Sequence, residues 1–526
     1  MSIKLEISPQ IKNLKNIIHQ KSEEEQQNLS KKNNKSKNPQ KYRIHLLTSF
    51  GCDTSGMIQD CINFITTNNY ILYYLGNNII IREISFIYND ADKLASIRHY
   101  QKQNKILVLK LSKNSKRVTS MSVSDDKNIF VLCEEIEENQ KKYSTISLYY
   151  LGKLSILSDN NIEPIRKIIT DRYCNFKSCS IGFDGDYLCS ICKDAYSSKM
   201  FGIIYDFQAA NKFELNATEP IAVFDLETKS KNNTNNTKNY ISNMNITKIS
   251  YNKKIIVTSG SNSLNFFYLY EGETREIQHN IPKSKNFVDH SLIRKDKKNL
   301  SENSEIRNQI LYVVLTSNNE LYILQGIEKL FDKESSKSKK ELTTKKNISS
   351  NLHIIDSHRI EKFIIIQHLT NIFDNKLSVA TNLKVVNQNN YYNGLIIGNH
   401  EGDLLFLEKA ENENNQNQKT NLNKNKVIYQ KIRIVHRKVP SECTGICFNN
   451  DESILCVAFK NNEISYCYLK NYFDKIKEYN FNLKFHLLCK RYHHSPVTSM
   501  NISFKRNILV TSSTKDNSVK FWNYIT

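Results

Sequence analysis

Runs of alternating apolar and polar residues, each bounded by a polar turn, recur along the chain. Near the end of the sequence, residues 497–504 alternate between two faces, residues 508–514 are rich in β-branched side chains, and Val519, Phe521 and Tyr524 mark a third run. A period of two is typical of strands that bury one face. The pattern therefore predicts three antiparallel strands joined by short turns.

Weaker copies of this three-strand unit occur upstream, at residues 61–84, 117–151, 178–207, 243–270, 309–326, 393–410 and 442–469. Their spacing, once insertions are allowed, fits a repeat of about 40–45 residues. A strand repeat of this length predicts an all-β propeller rather than a set of α/β domains. The chain has only 14 glycines and 7 prolines, so asparagine, which tolerates positive φ, is predicted to fill many turn positions.

Polar residues surround the strands of the last unit in a fixed order. A WD40 repeat has a His before its first strand, a Ser or Thr on the second, an Asp in the next turn and a Trp-Asp at the end of the third. The residues that match these places are His494, Ser512, Thr514, Asp516 and Trp522. The unit therefore resembles a WD40 repeat.

Two positions depart from that repeat, because His493 stands where Gly is usual and Asn523 where Asp is usual. The resemblance predicts a structural hydrogen-bond set that closes the blade. In it, the indole N–H of Trp522 meets the hydroxyl of Ser512 or Thr514, and His494 meets Asp516.

The expected fold class is an all-β WD40 β-propeller, with one seven-bladed ring and the first blade of a second, truncated propeller. Residues 1–42 are predicted to be a polar, mostly disordered tail, 43–475 the ring, and 476–526 the repeat that opens the second propeller. Stretches rich in Asn and Lys are predicted to be loop insertions in the ring, namely residues 229–239, 283–299, 333–347 and 411–426.

The 12 cysteines include two closely spaced pairs. Cys189 and Cys192 lie three positions apart on a predicted strand, so they point to opposite faces. Cys443 and Cys447 share a face but lie about 13 Å apart at the rise of a strand, too far to bind one zinc ion. The spacings therefore predict buried thiols and no metal site.

No apolar run is long enough to span a membrane, and the N-terminus has no signal-peptide core. These features predict a protein of the cytosolic phase whose cysteines are free thiols. No membrane partner is expected.

Motifs that would indicate an enzyme do not occur. The segment GCDTSG at residues 51–56 lacks the Gly-Lys-Ser/Thr of a phosphate-binding loop, and no dinucleotide fingerprint or Gly-x-Ser-x-Gly elbow is present. The sequence predicts no catalytic residue, no cofactor and no enzymatic activity. It predicts a rigid platform that binds other proteins.

The formal net charge is +21, and the basic residues cluster in the predicted loops. Such a surface attracts polyanions, although a Lys-rich and Asn-rich composition that simply fills solvated loops explains the charge equally well. The loops lack the interleaved aromatic residues that single-stranded nucleic-acid binders use. A protein or microtubule partner is therefore favoured over direct nucleic-acid binding.

The order of several segments resembles the cilia- and flagella-associated WD-repeat proteins, in particular the family of cilia- and flagella-associated protein 57, also called WD repeat protein 65. Residues 49–84 contain an early Phe-Gly and a Gly-Asn-Asn turn, and matching segments follow in family order at residues 393–408, 431–438, 443–469 and 492–526. The resemblance spans most of residues 49–526.

This resemblance implies a non-enzymatic scaffold of the ciliary and flagellar axoneme that assembles or anchors inner dynein arms on doublet microtubules for motility. The implied partners are inner-arm and regulatory-complex components, with tubulin contacted through the basic loops. Family members have two seven-bladed propellers and a long coiled coil, whereas this chain ends in the eighth repeat. Three explanations stay open: a truncated gene model, a fragment, or a divergent protein that keeps only the docking module; an unpartnered last blade would expose sheet edge, which favours truncation. Two alternatives stay open: a basic WD-repeat subunit of a nucleolar ribosome-assembly complex, and a generic protein-interaction adaptor.

Overall fold

The alternating runs form antiparallel strands throughout the described part of the chain. The computed structural model describes residues 61–84, 106–151, 162–207, 220–226, 240–293, 310–330, 358–386, 394–409, 429–469, 483–489, 493 and 497–523, with short gaps inside several of these ranges. The predicted N-terminal tail and the predicted insertions at 229–239, 333–347 and 411–426 lie outside the described residues. No helix among the described residues is long and apolar enough to cross a membrane.

Four consecutive blades, I to IV, each contain four antiparallel strands in chain order, and blade IV is half of an eight-stranded sheet. They are blade I, with β1 (Ile62–Ile65), β2 (Tyr70–Leu75), β3 (Asn78–Glu83) and β4 (Ile106–Lys110); blade II, with β5 (Ser115–Val123), β6 (Ile129–Glu138), β7 (Lys141–Tyr150) and β8 (Arg166–Thr170); blade III, with β9 (Tyr173–Ile181), β10 (Tyr187–Asp194), β11 (Met200–Asp206) and β12 (Ala222–Asp225); and blade IV, with β13 (Tyr240–Ser250), β14 (Lys253–Ser261), β15 (Ser263–Tyr270) and β16 (Glu273–His279).

Three further blades follow the same order. They are blade V, with β17 (Phe287–Ile293), β18 (Leu311–Thr316), β19 (Leu321–Leu330) and β20 (His358–Leu369); blade VI, with β21 (Ala380–Val386), β22 (Gly394–Asn399), β23 (Leu404–Lys409) and β24 (Tyr429–Val435); and blade VII, with β25 (Cys443–Phe448), β26 (Ile454–Phe459), β27 (Glu463–Tyr468) and β28 (His486–Cys489).

The first strand of each blade contacts the first strand of the next, from β1 through β5, β9, β13, β17 and β21 to β25. The ring closes because β25 also contacts β1. The first strands therefore line the centre, and the fourth strands form the rim. Blades IV and V are joined further, since β16 pairs in parallel with β20 and makes one eight-stranded sheet of the two blades.

Buried apolar side chains lie in seven clusters, one at each seam between neighbouring blades. The seam that closes the ring packs Phe64 of blade I against Cys447, Cys456 and Cys489 of blade VII. Apolar burial of this kind is the main favourable term in folding. Because this seam packs blade I on blade VII, seven blades complete the ring.

The eighth unit forms a separate three-stranded sheet, with β29 (Ser499–Ser503), β30 (Ile508–Ser513) and β31 (Ser518–Asn523). These three strands confirm the expectation from the alternating runs. The predicted boundary at residue 475 needs correction, because β28 pairs with β27 and so belongs to blade VII. The sequence repeat therefore straddles two sheets.

The predicted insertion at residues 283–299 is wrong in its middle part. Residues 287–293 form β17, which pairs with β18 and buries Phe287, His290 and Ile293. Lysines on both sides of this segment conceal its apolar spacing in the sequence. The stretch is the innermost strand of blade V.

Asparagine takes the turn positions that glycine usually fills. Positive φ occurs at eleven described non-glycine residues, and eight of them are asparagines: Asn114, Asn139, Asn175, Asn262, Asn319, Asn371, Asn462 and Asn517. A short amide side chain lowers the cost of this backbone conformation. The expectation for asparagine is therefore confirmed.

Candidate functional site

A polar network holds the eighth sheet together around the tryptophan. The indole Nε1–H of Trp522 donates to Oγ1 of Thr511 at 2.7 Å. The two ring nitrogens of His493 lie 2.7 Å from the same Thr511 oxygen and 2.8 Å from Oγ of Ser518. The segment before β29, the middle of β30 and the start of β31 are thus joined through four side chains.

The predicted hydroxyl partner of Trp522 was wrong, and strand parity explains why. Trp522 pairs with Leu509 across the sheet, so the β30 side chains on its face are those of odd number, including Thr511. Ser512 lies on the other face, where its hydroxyl contacts Ser499 at 2.7 Å. Thr514 lies beyond the strand, in the exposed turn.

The predicted pairing of His494 with Asp516 lies outside the described residues. Among the described residues, His493 is the histidine of this network, and its ring contacts Ser518 at the start of β31. The number of residues in the turn between β30 and β31 determines which side chains lie opposite each other. Counting outward from the four-residue turn between Ser513 and Ser518 places Trp522 opposite Leu509.

In blade V, other side chains join the segment before the first strand to the turn between the second and third strands. We call such a side-chain link a polar tie. Lys285, in the segment before β17, donates to Glu320 in the turn between β18 and β19, and the Tyr322 hydroxyl donates to the same carboxylate oxygen at 2.9 Å. Burial alone would raise the pKa of Glu320, but the hydrogen bonds from Lys285 and Tyr322 outweigh it, so this pKa is lowered. His368 stacks on Tyr322 with 4.2 Å between ring centroids.

Blade VII repeats the tie with an arginine. Arg437, before β25, donates to Glu463 at the start of β27, and its guanidinium lies 3.6 Å from the ring centroid of Phe459. Burial lowers the pKa of Arg437, and Glu463 opposes that effect. The backbone N–H of Arg437 also donates to Asp403 of blade VI at 3.0 Å, so one residue joins two blades.

Blade II uses a buried carboxylate for the same purpose. Glu134, in the middle of β6, accepts hydrogen bonds from the backbone N–H and the hydroxyl of Ser112 at 2.9 and 2.8 Å. Ser112 lies in the segment before β5, and its hydroxyl also accepts from Lys167 Nζ at 2.9 Å. In blades II, V and VII and in the eighth sheet, a polar tie therefore fixes the segment before the first strand.

A second set of hydrogen bonds links the inner strands of neighbouring blades. Ser122 Oγ accepts from Ile181 N–H at 3.3 Å. The Asp289 carboxylate accepts from Leu383 N–H at 2.9 Å, and Thr381 donates to the Cys443 carbonyl at 2.8 Å. These polar side chains satisfy backbone groups at the seams, which is the usual requirement for buried polar atoms.

Ten of the eleven described cysteines lie in the apolar seams. Cys189 and Cys192 lie in the clusters on opposite faces of blade III, as strand parity predicted. Cys443 and Cys447 lie in different clusters, which contradicts the prediction that they share a face. A register shift between Cys443 and Gly445 reverses the alternation at this point.

Burial raises the pKa of Cys443 to about 12 and raises the pKa values of Cys189, Cys192 and Cys467 as well. Thiols in this state are poor nucleophiles and poor metal ligands. Among the described residues, no group of three or more His, Cys, Asp or Glu side chains could hold a metal ion. The chemistry of these seams is that of a structural core.

His290 is buried between blades IV and V, where its Nδ1 lies 3.0 Å from the Ser259 hydroxyl. Burial lowers its pKa to about 3. The imidazole is therefore neutral at physiological pH and acts as a hydrogen-bonding core residue.

The eighth sheet differs from the ring in its exposed apolar surface. Met500 is 69% exposed, Val519 59% and Phe521 72%. By contrast, every residue of the second strands β22 and β26 in the ring is buried. Five of the twelve exposed large apolar side chains among the described residues lie in residues 497–521.

No protein-family model and no curated protein matches this chain. Among solved structures, the C-terminal WD40 domain of Sif2 is similar to it, with 9% sequence identity, 90% of this chain and 97% of that chain covered, and a TM-score of 0.45. The strand order and the closed ring carry the fold assignment. In its described residues the chain is an all-β propeller of seven four-stranded blades, followed by an eighth, three-stranded sheet.

Proposed function

We propose that this protein is a non-enzymatic scaffold of the ciliary and flagellar axoneme, related to cilia- and flagella-associated protein 57, and that it assembles or anchors inner dynein arms on doublet microtubules. One observation carries the proposal. The ring closes after seven blades, yet the chain continues into an eighth sheet with its own internal polar tie. A chain that begins a second propeller would have this arrangement.

A binding role fits the described chemistry better than catalysis. The polar side chains described above form hydrogen bonds within a blade or between neighbouring blades. The seams are packed with apolar side chains, which makes the ring a rigid platform. Apolar area is left exposed on the eighth sheet, as expected for a surface that contacts another protein.

The charge supports a partner with an acidic surface. The net charge of +21 attracts polyanions over distances comparable with the Debye length. A doublet microtubule presents such a surface. Binding through this charge weakens as salt rises.

The experiment is to express the tagged full chain in cells that build a flagellum, extract the cells with detergent, and wash the axonemes in increasing salt. The protein should remain on the detergent-extracted axoneme and leave it only at high salt. A variant with the lysines of residues 333–347 changed to glutamine should leave at lower salt. The matched control changes the asparagines of residues 229–239 to glutamine and should behave like the natural chain.

Two results would contradict the proposal. Signal in the nucleolus would favour a basic subunit of a ribosome-assembly complex. Complete loss of the protein into the detergent extract would favour a general interaction adaptor. If the protein is retained, disruption of its gene should reduce the number of inner dynein arms seen by electron microscopy.

A further inference from the structure

The seam that closes the ring between blades VII and I contains a group of thiols. Four of its buried side chains are cysteines: Cys61, next to β1, and Cys447, Cys456 and Cys489 of blade VII. Each of them is at most 4% exposed. Among the described residues, this seam has more cysteines than any other seam. Thiol chemistry in the ring is therefore concentrated where its first and last blades meet.

Two of these cysteines lie directly opposite each other on neighbouring antiparallel strands. In the pairing of β25 with β26, Cys447 is the partner of Cys456. Side chains of directly opposite residues lie on the same face of a sheet, and both thiols belong to the same apolar cluster. A side-chain hydrogen bond joins them. The two sulfur atoms are therefore neighbours in the closed ring.

This placement meets the geometric requirement of a disulfide bond. Directly opposite residues of antiparallel strands have Cα atoms about 4.5–5.5 Å apart, and disulfides bridge Cα atoms about 4.4–6.8 Å apart. Elsewhere among the described strand pairs, no cysteine lies opposite a second cysteine. Formation of a bond between Cys447 and Cys456 therefore needs no large backbone movement.

The two sulfur atoms are not chemically equivalent. Burial and the hydrogen bond to Cys447 raise the pKa of Cys456 well above its ordinary value. Cys456 therefore keeps its proton and donates it to the sulfur of Cys447. Because the thiolate is the nucleophilic form of cysteine, this arrangement makes Cys447 the sulfur that attacks first and Cys456 the thiol that follows.

We propose that Cys447 and Cys456 are a redox-modification site, at which a hydroperoxide such as hydrogen peroxide forms a disulfide between β25 and β26. The thiolate of Cys447 attacks the peroxide and breaks its O–O bond, which gives a sulfenic acid and a hydroxide ion that takes up the thiol proton as water. Cys456 then attacks the sulfenic sulfur, and its proton leaves with the hydroxyl group as a second water. The two sulfur atoms lose two electrons in total, and the peroxide gains them.

Burial makes the reaction depend on the state of the seam. Cys447 and Cys456 are 1% and 0% exposed, so an oxidant reaches them when the seam opens locally. The strand β25 also contacts β1 across this seam. The disulfide would therefore record opening of the ring under oxidising conditions. This inference is independent of the proposed function, since it concerns a seam inside the ring and no binding partner.

The test treats the purified full chain with hydrogen peroxide, blocks the remaining thiols with iodoacetamide, and maps the peptides by mass spectrometry without reduction. A linked pair of peptides that contain Cys447 and Cys456 should appear, about 2 Da lighter than the two free peptides together because two hydrogens leave. Dithiothreitol should reverse the link. Urea below the unfolding transition should speed its formation several-fold, because the seam opens more often.

The sample contains its own control for the oxidant, and two variants test the pair. Cys174 is the partly exposed cysteine of the described set, and it should be oxidised in the same sample. Cys456→Ala should abolish the link and leave Cys447 as a sulfenic acid that dimedone captures. The matched control, Cys467→Ala, removes a buried cysteine of blade VII that lies in a different seam and should form the link as the natural chain does. Circular dichroism confirms that the ring is folded in both variants.

Two outcomes would overturn the proposal. Absence of the link in a sample where Cys174 is oxidised would show that the opposed thiols are not a site of oxidation. A disulfide from Cys447 or Cys456 to Cys489, in place of the link between the two, would show that the strand register does not select the pair. Both outcomes are read from the natural chain, so they hold even if a variant does not fold.

Discussion

Trp522 is the single tryptophan of the chain, and its indole is held inside the eighth sheet by Thr511. Its fluorescence therefore reports on that sheet, whereas far-UV circular dichroism reports mainly on the larger ring. The two signals allow the ring and the eighth sheet to be followed separately in one unfolding experiment. Effects of single residues can then be assigned to one part of the molecule.

Thr511→Val should destabilise the eighth sheet. The change removes the oxygen that accepts from Trp522 and contacts His493, and leaves both groups without that partner. The expected loss is about 1–3 kcal/mol in the free energy of unfolding, measured by tryptophan fluorescence in urea. Ser512→Ala, on the opposite face, is the control and should cost less than about 1 kcal/mol. Equal losses in the two variants would contradict the network described for Trp522.

His290 should make the ring sensitive to mild acid. Its pKa is about 3 in the folded protein and near 6.5 in the unfolded chain. Between these values the unfolded state binds more protons, so stability is lost as pH falls below about 6.5, by up to roughly 1.4 kcal/mol per pH unit. Between about pH 7 and 5, most carboxyl groups remain ionised in both states and add little to this slope.

His290→Gln should flatten that pH dependence, whatever its effect on absolute stability. The measurement is the urea midpoint of the circular dichroism signal at several pH values. Asn318→Gln is the control, because Asn318 is exposed and has no titrating group, and it should retain the slope of the natural chain. An unchanged slope in His290→Gln would show that another group is responsible.

The three strands and the structural role of Trp522 were predictable from residue order, but the hydroxyl partner was not. Repeat matching places a Ser or Thr on the second strand without fixing its face. The face follows from the register, which depends on how many residues form the turn. The same limit applies to Cys443 and Cys447, where a bulge reverses the alternation.

At the scale of the element, the segment before the first strand is fixed by a tie whose chemistry varies. A His-hydroxyl contact serves the eighth sheet, a Lys–Glu pair serves blade V, and an Arg–Glu pair serves blade VII. The repeat pattern predicted where the strands lie, since strands need only alternation. It did not predict these pairs, because several side chains can fill the same position.

Arg437→Met should destabilise the ring by roughly 3 kcal/mol, because it leaves the carboxylate of Glu463 partly buried without its partner. The double variant Arg437→Met with Glu463→Gln should recover much of this loss. Urea unfolding followed by circular dichroism measures both. Lys460→Ala is the control, since it breaks an exposed pair with Glu442 and should cost at most about 1 kcal/mol. A double variant no more stable than Arg437→Met would argue against the pair.

At the scale of the whole molecule, β28 contributes to the seam that closes the ring between blades VII and I. Cys489 packs in the seam between blades VII and I, and Arg82 of blade I donates to the Leu488 carbonyl at 3.2 Å. The number of blades was predictable from the count of repeat units. The end of the ring was not, because the fourth strand of blade VII is short and lies within the last repeat.

A chain that ends at Lys490 should therefore keep the stability of the ring, because it retains β28. A chain that ends at residue 475 lacks that strand and should lose roughly 3 kcal/mol or more, since the closing seam loses its outer strand. Circular dichroism in urea compares the two. Equal stability of both chains would show that the ring closes without β28.

The parallel pairing of β16 with β20 makes the ring mechanically uneven. Blades IV and V form one eight-stranded sheet, joined by backbone pairing between their fourth strands, while the other blades remain separate sheets. Slow opening and closing of the ring should therefore concentrate at the six remaining seams. A force applied along the rim would separate blades IV and V less than any other pair of neighbouring blades. The ring is therefore stiffer on the side of these two blades.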